Sequence, residues 1–245
     1  MAKLYWDEEW ISKHREIAIS GLKNIERSAF MEVRMTLRDF TINVLQGELL
    51  RQARQAQIET FGWPIAVVLD RDELRPRPTT DGIVAEVSIQ DVDRRHSYDY
   101  WTLSKNGDFF LLKSIFEDER KENTIFFNTR IVRITETLLY AARLYSGLNV
   151  PRDAHYLVGI RHGGLKDRVL STSSIARRFP PSADKVSSEN EVYSEVETTI
   201  EQTETQLVEL VEQFTQPLFI FFNFFELNRS VLEEIVNKFV EGEVT

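Results

Sequence analysis

An alternating run and its apolar return meet at an Asn-Gly step, and no other feature limits the fold as strongly. Tyr98 to Leu103 and Phe109 to Ile115 flank Lys105-Asn106-Gly107-Asp108. A tight hairpin loop needs positive φ at its centre, which Asn and Gly adopt at little steric cost, and the twist of that turn matches two antiparallel strands. The segment predicts a β-hairpin. Other strand patterns surround it. Met31, Val33, Met35 and Leu37 alternate with Glu32, Arg34 and Thr36, the mark of a half-buried strand. Ile83 to Ile89 alternates too, and Ile65 to Leu69 reads as a short buried strand after Gly62-Trp63-Pro64. Tyr156 to Arg161, the turn His162-Gly163-Gly164-Leu165 and Arg168 to Thr172 predict a second hairpin, and Val192 to Ile200 opens as a strand.

Helical patterns lie between these runs. Asp7 caps a first helix, with Trp10, Ile11, His14, Ile17, Ala18 and Ile25 at helical spacing. His14 falls on its apolar face and reads as a packed core histidine. A second helix spans about Ile42 to Ile58. Asn128 is positioned to cap a long helix running to about Leu144 or Ser146. Ile200, Leu207, Leu210, Val211 and Phe214 form one face of a helix that Pro217 should end. Leu218 to Leu227 fits buried helix or buried strand equally. Val231, Leu232, Ile235, Val236 and Phe239 make a last amphipathic helix. Strands in hairpin-capable runs, interrupted by helices, predict the α+β class. The expected sheet is antiparallel or mixed, with helices packed on one face and a helical C-terminal layer. We read 1–245 as one domain: a helix over 1–28, a sheet-and-helix core over 29–173, a mobile Ser- and Pro-containing loop over 174–191, and an acidic helical layer over 192–245.

Cysteine is absent, which removes disulfides, cysteine zinc sites and thiol nucleophiles together and fits a reducing, cytoplasmic setting. The first nine residues lack the apolar run of a secretion signal. The longest apolar stretch near the end, Leu218 to Phe225 with Asn223 inside it, is far short of the ~20 residues that span a bilayer. No membrane segment is expected. The net charge of −9 is uneven. Residues 128–180 hold nine Lys/Arg against three Asp/Glu, and residues 181–245 hold three against fourteen. Such asymmetry marks either a partner-binding face or two segments that neutralise each other.

The foremost candidate site is the second hairpin. Two glycines, Gly163 and Gly164, expose backbone N–H groups, and Arg161, His162, Lys166 and Arg168 crowd the same turn. Exposed amides with Arg and Lys suit a phosphate or carboxylate partner. Arg94 and Arg95 in a neighbouring loop could join that nucleic-acid or anion-binding surface. Arg177-Arg178-Phe179 offers a weaker stacking-and-phosphate pattern. Arg130 and Arg133 begin the long helix, where cations oppose the dipole. They are expected to meet acids such as Glu136 or Glu117, Asp118 and Glu119. Asp70, Asp72 and Glu73, with Asp81 and Glu86 further on, are the densest carboxylates near a strand end; a metal-dependent nuclease would be built on Asp70, Asp72, Asp81 and Glu86, but no lysine stands at the spacing such a site needs. No catalytic triad, nucleotide-binding loop, metal-ligand spacing or cofactor motif is present, and no catalytic residue, metal or cofactor is assigned. The phenylalanine run Phe219, Phe221, Phe222, Phe224 and Phe225 suits a core or a self-association surface.

Several stretches share a likeness as a set. They are Thr60-Phe61-Gly62-Trp63-Pro64-Ile65, Arg77 to Glu86, Ser97-Tyr98-Asp99-Tyr100-Trp101, Leu111-Leu112-Lys113-Ser114, Phe126 to Arg133 and Arg161-His162-Gly163-Gly164-Leu165. From about Phe30 onward the chain resembles an uncharacterised bacterial domain that accompanies divergent AlbA-like, Schlafen-type DNA-binding proteins, often labelled ATP-binding. The AlbA-like domain itself is not found here, so its DNA-binding role does not transfer. The resemblance implies a companion module in the bacterial cytoplasm. The expected function is a non-enzymatic interaction, sensory or oligomerisation module of a regulatory or defence-type system, with a protein partner or a homo-oligomer. Direct nucleic-acid binding through the basic hairpin is the alternative, and a metal-dependent nuclease the third.

Overall fold

The computed structural model describes residues 6–58, 62–90, 96–173, 185–224 and 226–243. Its centre is the Asn-Gly hairpin. Strands β4 (His96–Ser104) and β5 (Phe109–Ser114) pair antiparallel across a turn in which Gly107 takes φ +87°. Around them lie β1 (Phe30–Leu37), β2 (Arg77–Pro78), β3 (Gly82–Gln90), β7 (Tyr156–Gly163) and β9 (Glu191–Thr198). The seven form one sheet of order β2-β3-β4-β5-β1-β7-β9, with every neighbouring pair antiparallel. A separate two-stranded sheet joins β6 (Thr124–Phe126) and β8 (Val169–Ser171) in parallel. The fold is α+β.

Strand register sorts one face of the large sheet into rows. Ile83, Leu103, Phe109, Met35, Val158 and Val196 form the first. Ala85, Trp101, Leu111, Val33, Ile160 and Ser194 form the second. Above them packs α3 (Phe127–Gly147), which buries Ile131, Ile134, Leu138 and Ala141. Its Tyr140 ring lies 5.5 Å from that of Phe109, and Tyr145 Oη donates to the Gly107 carbonyl at 3.1 Å. Each large side chain buried here stabilises the fold by about 1.5–3 kcal/mol. Helices α2 (Gln46–Ala56), α4 (Ile200–Thr205), α5 (Leu207–Ile220) and α6 (Arg229–Val240) flank α3 and complete this layer. Helix α1 (Glu8–Asn24) lies on the opposite face, where Ile11, Ala18 and Leu22 meet Tyr98, Tyr100, Phe110 and Leu112. Asp7 caps it as expected, accepting from Trp10 N–H at 3.0 Å. Among the described residues no helix is long and apolar enough to cross a membrane.

The structure departs from the sequence reading where tertiary contacts replace local ones. Residues 65–69 form no strand. Ala66 takes φ +54°, and side chains satisfy the backbone instead. Ile65 N–H donates to Glu136 at 2.7 Å, Trp101 Nε1 donates to the Val67 carbonyl at 2.9 Å, and Gln57 donates to the Ala66 carbonyl at 2.5 Å. The second hairpin does not close, because β8 leaves β7 to pair with β6. Asn128 does not cap α3. Its side chain holds Ser173 instead, accepting from the backbone N–H at 3.1 Å and donating to Oγ at 2.6 Å. Strand β1 is buried throughout rather than half-buried. Pro217 lies inside α5, and the helical break falls earlier, at Gln206. Most of the loop expected over 174–191 lies outside the described residues.

Two outcomes follow from this packing. A Cβ on Gly107 would meet Ile42 Cδ1 at 2.9 Å in a left-handed conformation, so Gly107→Ala should lower stability by about 1–2 kcal/mol, read as a reduced urea midpoint. His14 is buried, with Nδ1 2.6 Å from Tyr100 Oη. Burial first, and then the neighbouring Lys13 charge, lower its pKa from 6.5 to about 4. The folded chain therefore takes up this proton less readily than the unfolded chain. Its contribution to stability is complete above about pH 6.5 and declines as the pH falls towards 4. NMR titration of the His14 ring should show a midpoint near 4. A midpoint at the ordinary value would contradict this packing.

Candidate functional site

A third row crosses the same sheet face one step beyond the apolar two. It reads Val87, Asp99, Lys113, Met31, His162 and Val192. Asp99 follows the inward parity of Leu103 and Trp101 on β4, and Lys113 follows that of Phe109 and Leu111 on β5. Both charges are therefore driven beneath the helical layer by the two-residue strand period. The first turns of α3 bring Arg130 and Arg133 over them. A cavity of about 260 Å³ opens between, lined by Asp99, Lys113, Arg130 and Arg133, with Trp63, Met31 and Ile89 among its apolar walls and Glu119 also on its lining.

Nearly every charge here has an assigned partner. Lys113 Nζ lies 3.4 Å from Asp99 Oδ2 and donates to the Trp63 carbonyl at 3.2 Å. Arg133 donates to the same carbonyl at 3.0 Å and to Glu136 at 2.6 Å. Arg130 Nη2 donates to Glu117 at 2.7 Å, and Glu117 also accepts from Phe126 N–H at 3.2 Å. Glu117 and Glu136 are wholly buried, so these pairs hold geometry at a high desolvation cost. Burial pushes the Asp99 carboxyl up and the Lys113 amine down, with each opposed by the other's charge. Arg130 is lowered by burial, and His162 is held well below its ordinary value by burial and by Arg130.

Two polar atoms of the cavity-lining side chains have no hydrogen-bond partner: Asp99 Oδ1, an acceptor, and Arg130 Nε, a donor. Their residues are 1% and 2% exposed. Both atoms are sealed from a water-sized molecule, so the cavity touches these side chains through their other atoms. The arrangement can hold a small polar molecule.

The residues singled out in the basic turn do not gather on one surface. Arg161 and His162 point to opposite faces of β7. Arg161 donates to Glu191 at 3.0 Å, lies 3.6 Å from Glu32, and stacks 5.0 Å over the Tyr193 ring. Arg168 is buried and grips Asp118 through two bonds of 2.5 and 3.1 Å, while its Nε donates to the Gly164 carbonyl at 2.6 Å. Gly163 and Gly164 serve close packing, since a Cβ would meet the Phe30 ring at 2.3 Å or the Ser28 carbonyl at 2.4 Å. Lys166 is exposed. Arg94, Arg95 and the Arg177-Arg178-Phe179 stretch lie outside the described residues.

The carboxylates considered for a nuclease are also dispersed. Asp70 pairs with Arg54 at the surface, and Glu86 accepts from Tyr98 Oη at 2.9 Å on the α1 side of the sheet. Among the described residues no three His, Asp or Glu side chains gather as metal ligands. No family model matches the chain, and neither a curated protein nor a solved structure does.

The expected meeting of Arg130 and Arg133 with local acids occurs, through Glu117 and Glu136. What the sequence reading missed is the pair Asp99 and Lys113. Their signal was parity, since each occupies an inward position at the end of an otherwise apolar alternation. Lys113→Met should destabilise the protein by about 3–5 kcal/mol by stranding Asp99. The double substitution Asp99→Asn with Lys113→Met should recover most of that loss. Additive losses in denaturant unfolding would mean that the two charges are not coupled.

Proposed function

We propose that this chain is a non-enzymatic sensory module that takes a small polar ligand into the cavity beneath α3. The observation that carries this reading is a cavity lined by four buried charged side chains, Asp99, Lys113, Arg130 and Arg133. The cavity, of about 260 Å³, is small beside the ~300–1,000 Å³ typical of drug-sized ligands, so a compact metabolite suits it. The pairing of Arg161 and Arg168 with the chain's own acids favours this cavity over the basic turn as the ligand-facing region. The likeness to a bacterial companion domain supports a regulatory or defence-type setting, in which ligand occupancy would be passed to a partner protein.

The test uses the small-molecule fraction of a bacterial extract, freed of protein and nucleic acid. It should raise the Tm of the purified chain by about 5–10 °C once a component reaches a hundredfold excess over its Kd. Arg130→Met should lose that shift, and mass spectrometry should recover the bound component unchanged. No shift from any fraction would overturn the reading. Recovery of a chemically altered component would overturn its non-enzymatic part.

A further inference from the structure

The large sheet ends at β9, and the outer side of that strand is open. Among the described residues its one ladder is with β7. Arg38 N–H donates to the His155 carbonyl at 2.9 Å in the register that pairs β1 with β7, so the odd-numbered residues of β7 exchange backbone bonds with β1. Alternation gives the even-numbered residues of β7 to β9, where they meet Val192, Ser194, Val196 and Thr198. The N–H and carbonyl groups of Glu191, Tyr193, Glu195 and Glu197 therefore point away from the sheet. Among the described residues no group bonds them. A free strand edge of this kind is a template for one more strand.

Side chains make the edge selective. Glu191, Tyr193, Glu195 and Glu197 lie on the α1 side of the sheet, in line with Arg161, and the three glutamates are exposed. Val192 and Val196 face the helical layer, while Ser194 and Val196 are half-buried. Arg15, Arg161 and Arg38 meet Glu191 and Glu197 from elements inside the edge, and the two glutamate side chains stay 34% and 45% exposed. From Val186 to Asn228 the chain holds nine glutamates and no Lys, Arg or His. A second copy fits this edge poorly. Two β9 strands related by a two-fold axis would bring their glutamate rows together on one face, and like charges facing across a ladder are destabilising.

We propose that β9 takes an extended segment of a partner protein as a further strand of the sheet, with Lys or Arg at every second position. The basic side chains stand opposite Glu191, Glu195 and Glu197, and the small apolar ones between them lie beside Ser194 and Val196. The strand's backbone bonds the outward groups of Glu191, Tyr193, Glu195 and Glu197. This docking edge goes beyond the ligand cavity and does not depend on it, so it stands or falls by its own test.

The experiment is calorimetric titration of the full chain with a capped peptide of alternating lysine and valine, long enough to span Glu191 to Glu197. It should bind, and the peptide with glutamate in place of lysine should not. Two N-methylated forms keep the charge and separate strand addition from simple attraction. In the added strand the lysine N–H groups face β9 and the valine N–H groups face away. Methylating the lysine nitrogens should weaken binding at least about tenfold, as expected when several backbone hydrogen bonds are lost, whereas methylating the valine nitrogens should leave it nearly unchanged. Hydrogen exchange followed by NMR should show the Tyr193, Glu195 and Glu197 amides exchanging freely in the unbound chain and protected by the unmethylated peptide. Absence of binding, equal affinity of the two methylated forms, or binding without that protection would overturn the proposal. So would a dimer in which these amides are protected with no peptide present, because the edge would then belong to a second copy.

Discussion

Charge buried under α3 is the constraint on which the rest of the structure depends. The sheet delivers Asp99, Lys113 and His162 to one row, and α3 delivers Arg130, Arg133 and Glu136 above it. Isolated ions in such a place would cost many kcal/mol, so each must meet a partner of fixed position. The peptide around Trp63 is held by this requirement, because its carbonyl accepts from both Lys113 and Arg133. So is Ile65, whose N–H is satisfied by Glu136. The stretch from Gly62 to Val67 has no strand ladder of its own and takes its shape from the ions it covers. Glu117 likewise ties the short 3₁₀ turn Phe116–Glu119 to the start of α3. A set of ion pairs that positions three separate segments is a rigid frame, and the cavity is the space that this frame leaves open.

The opposite sheet face solves a similar problem. Glu32 is wholly buried on β1 and is approached by Arg15 from α1, Arg34 from its own strand and Arg161 from β7. Tyr193 lies beneath two of these guanidinium groups, 5.5 Å from Arg34 and 5.0 Å from Arg161. Glu191 closes the set on the edge strand, accepting from Arg15 and Arg161. Through contacts such as Arg161–Glu191 and Arg152–Glu204 the basic middle of the chain meets its acidic end. The charge asymmetry seen along the sequence is thus partly an internal neutralisation. Part of what reads as a basic surface in one dimension is, in three, a clamp between sheet strands.

How far the sequence spoke for the structure depended on whether a signal was local. The Asn-Gly turn, the Asp7 cap, the alternation of β3 and β4 and the apolar return of β5 are encoded within a few residues, and each formed where expected. The α+β class followed from them. The β7–β8 hairpin failed because Arg168 is drawn to Asp118, fifty residues earlier in the chain, and β8 pairs with β6. The strand expected at 65–69 failed because its backbone groups are satisfied by Glu136, Gln57 and Trp101. Local pattern could not reveal either partner. The cavity was half visible. Arg130 and Arg133 at the wrong end of a helix dipole required acids nearby, and those acids are present. Asp99 and Lys113 required knowing that two strands pair in the register that sets them side by side, which the hairpin turn alone fixes. Followed through, that register would have placed both charges under the helical layer.

The central claim is that the cavity left open by this frame of ion pairs takes up a small polar molecule. A high-resolution crystal structure of the chain purified from bacterial cells at neutral pH addresses this most directly. The account predicts an ordered small molecule in the cavity, hydrogen-bonded to at least one of Asp99, Lys113, Arg130 and Arg133. Density showing the space between β4, β5 and α3 holding only water, or closed by side chains, would contradict it.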